Sequence, residues 1–285
     1  MKYLLRYGEI GLKSSRVRRT MKERLMANTS RLFRQEGGRC AFREEEGRLF
    51  LESDYRDASA VLARVFGLVS CSEVVETSSS QQEMIELCLE IAGRQLTRGP
   101  SFAVRVRRVG NHPYTSMDIA RQAGSAILSA FPELKVNLTE PDWKVFLEIR
   151  GEKAYVYSEI LQSPGGLPLG TQGRILAYVE GAEGVLAAWL MMKRGCWVTP
   201  VFLKEKRWAR ALAYWNPDLV VHRVGLLKEM KDLAEVEGAM GYAYPWRLEG
   251  VGAEDLKPAF YPLVGASQAR LERLRERVLE PVGMA

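Results

Sequence analysis

Along the first 75 residues the apolar positions change period several times, and the order of those changes predicts a fold. KYLLRY at 2–7 reads as a buried strand, and the spacing of Val17, Met21, Leu25 and Leu32 predicts a helix over 17–36. Alternating runs then predict strands at 39–43 and 48–52, a helix over 55–66 and a strand over 68–75. This is β-α-β-β-α-β, the ferredoxin-like order. The stripe on the first helix leaves Arg18, Arg19, Lys22 and Arg31 off the core.

The pattern continues as a second mixed module. A helix is predicted over 81–96, with Ile85, Cys88, Leu89, Ala92 and Leu96 on its buried stripe, followed by a strand over 101–107. Phe102, Val104 and Val106 alternate there with Arg105 and Arg107, so one face packs and the other is cationic. A helix over 116–131, capped by Thr115 or Ser116 ahead of Asp118, leads to strands near 135–138, 144–149 and 153–159. QSPGGLPLGTQG at 162–173 has no hydrophobic period and reads as a linker. Beyond it strands at 174–179, 196–202, 219–224 and 239–244 alternate with helices over 185–194 and 226–237, which implies a parallel sheet covered on both faces. The expected class is α/β with an α+β N-terminal part, in three domains at 1–75, 76–170 and 171–285.

Composition narrows the functional classes. With 47% hydrophobic and 27% charged residues the 285-residue chain is an ordinary globular one. No apolar run approaches the roughly 18 residues of a membrane span, and the N-terminus lacks a signal-peptide pattern, so no membrane association and a cytoplasmic location are expected. Cys40, Cys71, Cys88 and Cys196 form no C-x-x-C pair and only His112 and His222 are available to join them, so no metal site is expected and the thiols read as core residues. Ser116, His112 and Asp118 fall within one loop and helix start, a spacing that does not build a catalytic relay. The aromatic segments AYWNP at 213–217 and YAYPW at 242–246 read as core in preference to base-stacking platforms.

Charge adds a partner. The net charge is +6, yet residues 1–34 alone hold ten Lys/Arg against two acids, and no acid occurs from Arg98 to Tyr114. Such asymmetry points to a polyanion, and structured RNA is the expected partner. The candidate contacts are Lys13, Arg16, Arg18, Arg19 and Lys22 near the N-terminus, with Arg105, Arg107, Arg108 and Lys135 in the second module. Asn111, His112, Tyr114 and Asn137 lie in adjoining turns suited to sugars or unpaired ends. Each of these is equally compatible with a solvated surface.

GRILAYVEGAEGVLAAWLMMKRG at 173–195 has the strand, turn and helix of a nucleotide-binding loop. Its turn, Glu180, Gly181, Ala182, Glu183 and Gly184, carries two acids where phosphate would sit. Two unit charges about 4 Å apart repel by roughly 4 kcal/mol at an effective dielectric of about 20, so the loop reads as a nucleotide site without its nucleotide.

Three segments, YGEIGLKS at 7–14 with Arg16, Leu25 and Asn28 beyond it, GGLPLGTQG at 165–173 and LMMKRG at 190–195, together resemble the tRNA 4-thiouridine synthetase family, sulfurtransferases also used in thiamine biosynthesis. PAFYPLVG at 258–265 is similar to a late segment of that family. The resemblance implies a ferredoxin-like domain, a THUMP domain that holds the tRNA acceptor end, and a pyrophosphatase-loop ATP domain. It also implies a loop of the form S-G-G-x-D-S, which residues 180–184 do not reproduce, a catalytic cysteine for which nothing follows Cys196, and a T-G-E-x-L-G-Q signature that YPWRLEG at 244–250 does not match. The expected function is tRNA recognition without ATP-dependent adenylation, and hence no cofactor. The alternatives are an active tRNA sulfurtransferase using ATP at a rebuilt site, and a non-catalytic subunit whose last domain meets a protein partner or a second copy.

Overall fold

The computed structural model describes residues 1–246 and 257–284. Its elements in chain order are β1 (Lys2–Tyr7), α1 (Ser15–Gln35), β2 (Ala41–Glu45), β3 (Arg48–Glu52), α2 (Ala58–Leu62), β4 (Leu68–Ser78), α3 (Gln81–Gly93), β5 (Ser101–Val109), α4 (Ser116–Ala130), β6 (Lys135–Val136), β7 (Trp143–Arg150), β8 (Lys153–Tyr157) and β9 (Leu161–Gln162). The C-terminal part adds β10 (Arg174–Tyr178), α5 (Gly181–Lys193), β11 (Trp197–Phe202), α6 (Lys206–Ala211), β12 (His222–Arg223), α7 (Met230–Val236), β13 (Tyr242–Ala243), β14 (Ala259–Phe260) and α8 (Gln268–Leu279).

By contact density the chain divides into two compact units, one of residues 1–6, 40–59 and 70–162 and one of residues 7–39, 60–69 and 163–285. A nine-stranded sheet runs β2-β3-β1-β4-β8-β7-β5-β6, with β9 against β4. The order β2-β3-β1-β4 is the ferredoxin-like one that the N-terminal pattern predicts. β4 is longer than its apolar run: Ser70 and Cys71 pair with β9, while Val75 to Ser78 pair with β8. A buried cluster of Met84, Cys88, Phe102, Ile119, Ala123, Ile127, Val145 and Leu147 fixes α3 and α4 on their strands.

In the other unit five parallel strands run β12-β11-β10-β13-β14. The period of two in β10 decides its two faces. Ile175 and Ala177 pack with Trp189, Met192 and Leu271, whereas Leu176 packs with Val201, Met230 and Tyr242. α5 is apolar around most of its circumference, as a helix with neighbours on several sides requires, and buries Val185, Leu186, Ala187, Ala188, Trp189, Met191 and Met192. The expected aromatic core is present: Trp215 and Phe66 meet the Trp189 ring at 5.5 Å each. Burial pushes the Cys71 and Cys88 thiols up to about 12 and raises that of Cys196, so these three sulfurs lack thiolate character.

Several expectations change. Val17 is exposed rather than part of the α1 stripe, because the stripe begins one turn later at Met21. α5 starts at Gly181, four residues before the apolar run that announces it. α6, β14 and α8 have no counterpart in the elements expected from the pattern. Of the 244–250 segment, only Tyr244 to Trp246 lies within the described residues.

Candidate nucleic-acid interface and nucleotide loop

β5 extends to Val109, so its alternation runs through three arginines. Arg105 and Arg107 stand opposite Phe146 and Glu148 of β7, whereas Arg108 stands opposite Ile149. Strict alternation therefore puts Arg108 on the Val104 and Val106 side, and the three do not form one cationic face. Arg105 donates to the Leu138 carbonyl, and Arg108 to the Gly110 carbonyl at 3.0 Å.

The turn residues serve the fold. The buried Tyr114 ring sends its hydroxyl to the Ser79 carbonyl at 2.6 Å and stacks on His112, whose Nε2 lies 2.7 Å from the Gly151 carbonyl oxygen. Asn137 closes a local turn: its Oδ1 accepts from the N–H groups of Thr139 and Glu140 at 3.1 Å each. Asn111 and Lys135 are exposed. The expected cap on α4 is complete, with Thr115 Oγ1 accepting from Asp118 N at 3.2 Å and the Asp118 carboxylate accepting from Thr115 N at 2.8 Å.

Between α4 and the β5–β6 edge lies a cavity of about 610 Å³. Its lining is mixed: Val104, Val106, Met117, Leu128, Val136 and Leu138 are apolar, and Arg105 and Arg121 bring charge. Met117 and Leu138 remain 60% and 62% exposed, a state that apolar side chains leave when a ligand covers them. Lys135 adjoins Val136 and has no side-chain partner among the described residues, while the exposed Arg121 has Asp118 as its neighbouring charge. Sequence reasoning missed Arg121, although Met117, Arg121 and Leu128 recur at helical spacing.

The N-terminal cations belong to the other unit. Lys13, Arg16 and Arg19 are exposed, and Arg18 and Lys22 half-buried. Arg19 lies 3.9 Å from Glu23, an exposed pair of small energetic weight. Arg31 instead pairs with Asp218 at 2.8 Å and covers the Trp197 ring, while Asn28 donates to the Leu169 carbonyl at 3.0 Å.

The loop between β10 and α5 differs from its sequence reading in one respect. Glu180 does not point its acid at a phosphate position. Its Oε1 accepts from the N–H groups of Leu203 and Lys204 at 2.6 Å each, and Oε2 from Glu205 at 3.4 Å. These amides belong to the turn between β11 and α6, and the carboxylate serves as their acceptor. Glu183, in the first turn of α5, lies 4.0 Å from the Arg275 guanidinium. Gly181 takes φ +70°, and a Cβ on Gly184 would stand 2.8 Å from Val179 Cα, so helix and strand close on each other here. Glu180, the N-cap residue of α5, makes no side-chain cap bond to its own helix.

The ThiI ferredoxin-like domain family matches residues 2–72 and the THUMP domain family residues 78–159. A probable tRNA sulfurtransferase of Methanosarcina acetivorans is 38% identical over 216 residues, 74% of this chain and 52% of that protein. The chain thus spans about half the length of that curated relative. One from Methanothermobacter thermautotrophicus is 30% identical across 96% of this chain and 84% of its own. Among solved structures, PH1313 from Pyrococcus horikoshii superposes with a TM-score of 0.83 at 27% identity, covering 97% of this chain and 98% of that one. A 4-thiouridine synthetase solved with RNA and ATP shares the fold, with a TM-score of 0.78 at 22% identity over 98% of this chain and 86% of its own. With a ThiI ferredoxin-like domain and a THUMP domain matched in turn, and with a relative 30% identical across 96% of this chain and 84% of its own length, the chain belongs to the tRNA sulfurtransferase family.

Proposed function

We propose that this chain binds tRNA along the α4–β5–β6 groove of its THUMP domain, and that its 180–184 loop does not adenylate that RNA unaided. The observation that carries the reading is the groove itself, with an exposed apolar floor between Arg105, Arg121 and the adjoining Lys135. Unpaired nucleotides need this combination, an apolar surface for base faces and cations for phosphates. The named relatives supply the RNA class, since they are tRNA sulfurtransferases. Against adenylation stands a 180–184 turn without the serines and aspartate of S-G-G-x-D-S, and against sulfur transfer stand three buried thiols whose protonated form burial favours.

The test is tRNA binding across a salt series. The double variant Arg105→Ala/Arg121→Ala should bind about tenfold or more weakly and reduce the salt slope by about 1–2, because each phosphate contact releases condensed counterions. Unchanged affinity and slope with normal melting would remove the groove from the interface.

A second reading, a working sulfurtransferase, is favoured by the Methanothermobacter relative, which aligns with 96% of this chain. AMP release from ATP in the presence of tRNA would establish it and overturn the absence of adenylation, while leaving the groove to the salt series.

A further inference from the structure

Four separate segments carry the resemblance stated above, and in the folded chain they meet. Leu167 N donates to the Lys193 carbonyl at 3.0 Å, and Gln172 N to that of Gly195 at 3.0 Å, so GGLPLGTQG is stitched to LMMKRG. The approach is closest at Gly166, where a Cβ would stand 1.9 Å from the Lys193 oxygen. Glu9 of YGEIGLKS and Phe260, Tyr261 and Pro262 of PAFYPLVG complete the ring around a cavity of about 490 Å³. None of residues 180–184 takes part, so this is not the nucleotide loop.

The lining has two characters. Lys193, Arg194 and Arg270 supply cations with Glu9 as the single acid, and Phe260, Tyr261 and Pro262 supply a flat apolar wall. Phe260 is 41% exposed. Lys193 is half-buried and has no carboxylate within ion-pair distance among the described residues. Its Nζ and the Arg277 guanidinium both lie 5.7 Å from the centre of the Trp189 ring. Burial first, then Arg277 and Arg270, hold its proton affinity below that of an ordinary lysine, with Glu9 opposing them. Like charges gathered in a half-buried place repel, and an anion between them removes that cost.

We propose that this cavity binds a nucleotide unit, its phosphate between Lys193, Arg194 and Arg270 and its base against Phe260 and Tyr261. The volume falls in the range of small-molecule sites, roughly 300–1,000 Å³. The cationic rim accounts for the phosphate and the aromatic wall for the base. Neither the THUMP groove nor the 180–184 loop contributes a residue.

The unit comes from a free nucleotide or from RNA, and one set of titrations on the full chain distinguishes them. In calorimetry AMP should saturate the site, with adenosine and inorganic phosphate each about tenfold weaker or more, since each offers only half of the contacts. Arg270→Ala, an exposed change, should weaken AMP about tenfold with unaltered melting, and Tyr261→Leu should erase the advantage of AMP over phosphate. Displacement of AMP by tRNA assigns the nucleotide to RNA, and simultaneous binding assigns it to the free pool; both support the cavity. No saturable heat with AMP up to about 10 mM, equal affinity for AMP and phosphate, or binding indifferent to both Lys193→Gln and Arg270→Ala would overturn the proposal.

Discussion

The THUMP groove and the β10–α5 loop both lie where a strand meets a helix, and they treat charge in opposite ways. In the groove Arg121 and Lys135 stay exposed, and Lys135 has no side-chain partner among the described residues. In the loop the Glu180 carboxylate is taken up by backbone amides, and Glu183 lies within reach of Arg275. Counting acids and bases along the chain weights these charges equally. Their availability to a ligand depends on which donors the fold leaves unsatisfied nearby, and in the loop the waiting amides belong to the turn between β11 and α6, more than twenty residues away.

The sharpest way to break this contrast is to open the loop. Gly184→Val forces a Cβ to within 2.8 Å of Val179 Cα, which neither backbone can yield, so a loss of about 3 kcal/mol or more in urea unfolding is expected. Normal stability would mean that strand and helix do not close as described.

Glu180→Ala leaves the Leu203 and Lys204 amides without their acceptor and should cost about 1–3 kcal/mol. ATP binding should not appear in calorimetry, since the turn geometry is unaltered. Tight ATP binding by this variant would show that one carboxylate alone silences the site.

A third acid extends the comparison to titration. Burial would raise the Glu45 pKa, but hydrogen bonds from Tyr155 at 2.8 Å, Lys153 at 3.2 Å and Lys2 outweigh it and hold the carboxyl at about 2. Its folded value is depressed, so its contribution is present above the ordinary 4.5 and lost as pH falls from there to about 2. Glu45→Gln should flatten urea stability across that window by about 1–2 kcal/mol, after allowance for solvent at this partly exposed cluster. An unchanged pH profile would remove the network from the stability of this sheet.

The smallest effect is expected from the helical glycine that faces open space. A Cβ on Gly124 meets nothing within 4 Å, so Gly124→Ala should stabilise α4 by about 0.5–1 kcal/mol. Because the methyl enters the groove, tRNA affinity should fall while melting rises. A rise in both would place the RNA elsewhere.

Period and capping made the N-terminal sheet order and the Thr115 cap legible, since both are local rules acting on neighbouring residues. α8 was equally readable, with Ser267 as its cap and Leu271, Leu274 and Val278 at helical spacing, but its apolar residues are sparse among arginines and glutamates. α6 and β14 are too short, at six and two residues, for periodicity to register. At the candidate site, Arg105 and Arg107 followed from alternation, whereas the sidedness of Arg108 depended on where β5 ends. The partner of Glu180 and the gathering of Glu9, Gly166, Lys193 and Tyr261 around one cavity are products of tertiary structure, and no local pattern contains them.

The double pairing of β4 bears on how the chain is made. Val75 meets Val156, so during synthesis the ferredoxin-like strands wait some eighty residues for the neighbour that covers β4. Until β8 leaves the ribosome, that strand is an open edge, the kind of surface that recruits strands from other chains. The THUMP module is therefore also the cover that ends the nascent chain's exposure to aggregation.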